Sequence, residues 1–146
     1  MKFNCRVDID LPREKVVALF QDNEKRKIWD KSFISIESVT GPPGENGSTS
    51  LIMFKAGIKA QELRETIIEN GLPDFFSAKY EHKHMDNTMV NHFRSLSDHQ
   101  TRYEAEVEYL EFRGFMAKML AFMFSGVFTR QVQRHLQAFK EYAEKE

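Results

Sequence analysis

The residues able to do chemistry are few, and His82-Lys83-His84 is the first group to weigh. Alternate residues of a strand share a face, so His82 and His84 form a candidate metal pair. A third ligand is missing, because His92 falls on the opposite face and His99 lies in a turn. A solvated strand end is the plainer reading, and no metal is expected. Tyr80, His82, Tyr103 and an inward-pointing Glu65 are the side chains suited to move a proton. Nothing in their spacing brings two of them together. Cys5 lies on the apolar face of an alternating segment and reads as a buried thiol, not a nucleophile. There is no nucleophile elbow, phosphate loop or paired-cysteine motif, and no cofactor is expected.

The elements that must position these groups follow from the hydrophobic pattern. Phe3, Cys5, Val7 and Ile9 alternate with polar neighbours, the signature of a half-buried strand. Asp10-Leu11-Pro12 ends it and opens a helix with Val16, Val17, Leu19 and Phe20 on one side, for which Asp10 is the expected cap. Asn23 is the expected cap of a second short helix carrying Ile28 and Trp29. Trp29 suits packing at the helix–sheet junction better than a pocket mouth.

Strands are predicted over Phe33–Thr40, Ser48–Ala56, Ile58–Glu69, Phe75–His84, Thr88–Leu96 and Thr101–Phe112. The Gly41–Gly47 loop joins two strands, so it reads as a hairpin tip and not as a phosphate cradle. Gly114–Glu146 contains one further glycine and no proline, and is predicted as one long helix. The expected fold is α+β, a single domain over residues 1–146. A curved seven-stranded antiparallel sheet grips a long C-terminal helix, with two short helices after the first strand.

Taking Asp86-Asn87 as a two-residue turn pairs His82 with Asn91, Tyr80 with Phe93 and Ala78 with Ser95. The inner face then carries Phe76, Ala78, Tyr80, Met89 and Phe93, with His82 and Asn91 among them. Thr101, Tyr103, Ala105, Val107 and Tyr109 form the inner face of the last strand. In Ile58–Glu69 the two faces compete, so either Glu65 or Arg64 points inward. Such a mixed inner face suits either a small-molecule pocket or a closed core with tyrosine hydroxyls at its rim.

Phe occurs 13 times and Met 7 times, against one Trp and four Tyr. Five of the Phe and three of the Met fall between Phe112 and Phe128. That stretch has no polar face, so it needs cover on more than one side. The sheet and short helices, a hydrophobic ligand, or a second subunit or membrane would each supply it.

The 146 residues carry 21 basic and 22 acidic side chains, a net charge of −1. Such a balance disfavours a general nucleic-acid binder and suits an uncharged apolar partner. The lone cysteine excludes an intrachain disulfide. No transmembrane segment is expected, and a cytoplasmic location is the default reading.

The order of elements resembles the helix-grip fold of the START-related superfamily, which includes polyketide cyclases and dehydratases and birch-pollen-allergen-like proteins. The likeness rests on Asp10-Leu11-Pro12-Arg13-Glu14-Lys15-Val16, on Lys27-Ile28-Trp29-Asp30, on the Gly41–Gly47 loop, and on the terminal helix through Leu136 and Phe139. It implies a cavity between sheet and long helix able to hold a lipid, isoprenoid or polycyclic compound. A non-enzymatic binding or carrier domain is the leading expectation. The candidate ligand-binding residues are Phe76, Tyr80, His82, Asn91, Phe93, Tyr103, Tyr109, Met119 and Phe122. A cyclase- or dehydratase-type enzyme and a protein-interaction module, the latter a homodimer through Phe112–Phe128, are the alternatives.

Overall fold

Alternation in the first eight strand residues produces β1 (Lys2–Ile9), with Cys5, Val7 and Ile9 buried, in a computed structural model that describes Met1–Glu146. Helix α1 (Arg13–Gln21) starts at Pro12, whose fixed φ suits a helix entry. Asp10 does not cap it; its carboxylate accepts from the Gln100 side chain at 3.1 Å. Helix α2 (Asn23–Trp29) is capped by Asp22 and not by Asn23, since the Asp22 carboxylate accepts from the Glu24 and Lys25 amides.

Six strands follow: β2 (Phe33–Thr40), β3 (Thr49–Ala56), β4 (Lys59–Gly71), β5 (Phe75–His82), β6 (Met85–Ser97) and β7 (Gln100–Phe112). They form one antiparallel seven-stranded sheet in the order β1-β7-β6-β5-β4-β3-β2. The α+β helix-grip architecture is therefore the one expected from the sequence.

Three details differ from expectation. The β5–β6 turn falls at Lys83-His84, not Asp86-Asn87, so Tyr80 pairs with Asn87, Ala78 with Met89 and Phe76 with Asn91. His82 does not face Asn91. Arg113 explains the placement. Its guanidinium donates to both Asp86 carboxylate oxygens, at 2.8 and 2.9 Å, and to the His82 carbonyl, which holds Asp86 inside the strand. The displacement is an even number of residues, so the inner and outer faces remain as read.

In β4 a bulge at Ile68 changes the alternation. Leu63, Glu65 and Ile67 face inward before it and Asn70 after it, which is why neither simple pattern fits. Glu65, not Arg64, is the inward residue.

The C-terminal segment is two helices, α3 (Phe115–Met123) and α4 (Ser125–Ala143), broken at Phe124 with φ −131° and ψ 41°. The Ser125-Gly126 pair after the break is a weak helix former and accommodates the kink.

Leu136, Phe139 and Ala143 of α4 pack on Cys5, Val7, Ile9, Phe93, Tyr103 and Ala105, with Val16, Val17 and Leu19 of α1 closing the core. The packed core thus lies over the β1-β7-β6 side of the sheet. Over β2–β5 the long helix leaves a gap.

Candidate functional site

That gap is a cavity of about 560 Å³. Its floor is the inner face of β2–β6. Its far wall comes from Phe20 of α1, Arg26 and Trp29 of α2, and His135 and Phe139 of α4. The Pro43-Gly44 tip of the β2–β3 loop folds over the rim, tied down by Asn70, whose side-chain amide donates to the Gly44 carbonyl at 2.7 Å. Gly41 turns the chain into this loop at φ 74°, a conformation open to glycine.

The strand register arranges the floor in rows. Ser38 pairs with Ser50, Ser50 with Glu65, Glu65 with Tyr80, and Tyr80 with Asn87. All five line the cavity, so one continuous polar row crosses five strands. Ile36, Ile52 and Leu63 form an apolar row on one side of it; Ile67, Ala78 and Met89 form another on the other side.

Glu65 and Tyr80 are the titratable pair in that row. The Tyr80 hydroxyl donates to Glu65 Oε2 at 2.8 Å. Burial raises the Glu65 carboxyl above its ordinary range, opposed by the Tyr80 hydrogen bond and by Arg26. Burial, and then the Glu65 charge, push the Tyr80 phenol well up, so it stays protonated.

The opposite wall adds a second polar group. The Trp29 indole Nε1–H is buried and has no acceptor in the protein. Its ring lies 5.0 Å from that of His135 and 5.2 Å from that of Phe139. Arg26 donates to Asp30 Oδ2 at 3.1 Å and stacks over Phe33 at 4.5 Å. Burial drives His135 down to about 4, helped by Arg26 and opposed by Asp30, so its imidazole is neutral at neutral pH. Burial acts to raise Asp30, but the His135, Arg26 and Ser32 interactions outweigh it and hold the carboxyl low. With His135 neutral, Arg26 and the Ser32 hydroxyl, 2.8 Å away, do that work.

Of the residues expected at a site, Phe76, Tyr80, Asn91 and Tyr103 line the cavity. Tyr103 donates to the Asn91 amide oxygen at 2.7 Å, and both are buried. The other five stand elsewhere. Phe93 lies in the core, its ring 4.9 Å from Phe20 and 4.8 Å from Tyr103. Tyr109 belongs to an aromatic cluster with Phe3, Phe112 and Phe128, where burial pushes its phenol up to about 12. His82 sits at the end of β5, bonded through Nε2 to the Gln61 side chain. Met119 and Phe122 are on the outer helix α3, with Phe122 90% exposed. No three His, Cys, Asp or Glu side chains converge in a metal-binding group.

Ser38, Ser50, Asn87, Arg26 and His135 are cavity residues that sequence reasoning missed. For His135 the signal was present: with Val132, Leu136 and Phe139 it shares the inward stripe of α4. For the serines there was none, because short polar side chains on an edge hairpin look the same whether they face water or a cavity.

No family model matches the chain, and no curated protein matches it in sequence. Solved structures match along its whole length. A Zhui aromatase/cyclase from a Streptomyces species superposes with a TM-score of 0.81 at 10% identity, covering 99% of this chain and 94% of that one. Ara h 8.0201 superposes at 0.76 with 12% identity, covering 100% and 99%. A START superfamily protein from Mycobacterium smegmatis superposes at 0.64 with 11% identity, covering 93% and 97%. Together with the sheet order and the gripped helix, these likenesses show that the chain has the START-related helix-grip fold.

Proposed function

We propose that this protein binds a hydrophobic small molecule in the cavity between its sheet and α4. The observation that carries the reading is the row pattern of the floor: one polar line between two apolar ones, in a volume of about 560 Å³. Small-molecule sites have this size and constitution, mostly apolar walls with a few placed polar groups. The ligand class is a lipid, isoprenoid or polycyclic compound with oxygen functions along one edge. Those oxygens meet the polar row, and an acceptor on the opposite edge satisfies the Trp29 indole. The apolar remainder supplies the driving force, at about 25 cal/mol per Å² removed from water.

Native mass spectrometry of gently purified protein, with displacement of a fluorescent fatty acid or polycyclic probe, tests this. Co-purified ligand or displacement supports it. No bound compound, together with no displacement by members of any of the three classes, overturns it.

A second reading has its own support in the Glu65–Tyr80 pair. A carboxyl raised above its ordinary range beside a protonated phenol is suited to general acid–base work on a bound molecule. The aromatase/cyclase neighbour makes ring closure with loss of water the reaction class to test. Incubation of the bound compound, followed by mass analysis, distinguishes the readings. A product lighter by one water, absent with Glu65→Gln, marks an enzyme; an unchanged compound marks a carrier.

A further inference from the structure

Helix α3 does not contribute to the cavity, and its side chains face away from the core. Phe115 is 78% exposed, Met116 70%, Phe122 90% and Met123 61%, on a helix of nine residues with no buried position. Phe124 at the break and Val127 in the next turn continue the apolar surface. Helix α3 packs mainly on β7 and α4, and with no buried residue it projects from the fold.

The charge along this stretch of chain is of one sign. Between Glu111 and Glu141 there is no acidic residue, although the whole chain has a net charge of −1. Arg113 is paired with Asp86 and Glu111, and Lys140 with Glu144. Lys118 in α3, and Arg130 and Arg134 in α4, are exposed and have no ion pair. Arg130 and Arg134 stand one turn apart on one face of α4, next to Val127.

We propose that α3 docks this protein on an anionic lipid bilayer. Phe115, Met116, Phe122 and Met123 enter the acyl boundary, while Lys118, Arg130 and Arg134 meet the lipid phosphates. Charge complementarity selects this occupant over a second copy of the chain. A two-fold contact through α3 apposes two copies of a segment whose charged side chains are all basic, with no carboxylate in it to pair them. A bilayer supplies both the apolar phase and the negative charge. At about 1.5 Å per residue the helix spans far less than a bilayer, so it lies in the interface; no helix of the protein is long and apolar enough to cross. The proposal does not depend on the identity of any cavity ligand.

Co-sedimentation of the full chain with phosphatidylcholine vesicles, and with vesicles of phosphatidylcholine and phosphatidylglycerol, tests it. Binding is expected to the anionic vesicles and to weaken with salt. Lys118→Gln is expected to reduce it about fivefold, and Phe122→Ser about tenfold or more. Circular dichroism of both variants should match the parent, because neither side chain is buried. Equal binding to both vesicles, or to neither, overturns the proposal. So does light scattering that reports a dimer of the 17.2 kDa chain abolished by Phe122→Ser, since α3 is then a subunit contact.

Discussion

Tyr80 donates a 2.8 Å hydrogen bond to Glu65 from the facing position of the next strand, inside the cavity. That bond lowers the Glu65 carboxyl against the stronger upward push of burial. Tyr80→Phe is therefore expected to raise the Glu65 titration further, read from the side-chain carbon resonance in a pH series. The linkage has a definite sign. A carboxyl raised in the folded state binds its proton more tightly there, so stability falls as pH rises from the unfolded value to the folded one. Glu65→Gln is expected to abolish that fall. A Glu65 titration that moves down in Tyr80→Phe contradicts the account.

Ser50 lies beside Glu65 in the polar row and has room in front of it. Ser50→Phe is expected to fill the cavity floor and weaken ligand or probe binding about tenfold, which corresponds to roughly 1.4 kcal/mol. The thermal midpoint should hold or rise. Phe122→Ser is the matched control and is expected to leave cavity affinity unchanged.

His135 titrates at about 4 in the folded protein against 6.5 ordinarily. Between these values the unfolded chain takes up a proton that the folded chain refuses, so stability declines as pH falls through that window. His135→Gln is expected to flatten this part of the stability profile, measured by urea unfolding from neutral pH to pH of about 4. A profile that is equally steep in the variant assigns the loss to other groups.

Tyr103 and Asn91 satisfy each other in the interior. Tyr103→Phe leaves the Asn91 oxygen without its donor and is expected to destabilise the fold by about 1–3 kcal/mol. Melting of the two forms at one pH measures it. An unchanged midpoint shows that water or Asn91 itself replaces the bond.

How much of this was legible depends on the range of the interaction. Local alternation revealed β1 and β7, and an even register error around Asp86 left the faces of β5 and β6 correct. Rows across the sheet were not legible, because each row depends on where every turn falls. Arg113, which sets the β5–β6 turn, lies 27 residues from Asp86. The bulge at Ile68 hid the inward Glu65 in the same way. The Phe/Met segment was visible as apolar all round, but its direction depended on the kink at Phe124, which two weak helix formers permit and tertiary packing decides.

The core and the cavity occupy opposite ends of one sheet, with α4 seated over β1 and turned away from β3 and β4. Folding energy and cavity shape are thereby set largely by different residues, with Tyr103 and Phe139 serving both. A substitution at Ser38, Ser50 or Leu63 alters the shape of the cavity without touching the contacts that hold Leu136 and Phe139. The cavity half is free to be rebuilt for a new guest while the other half keeps the chain folded. The protein is thus a practical starting frame for engineered binding sites.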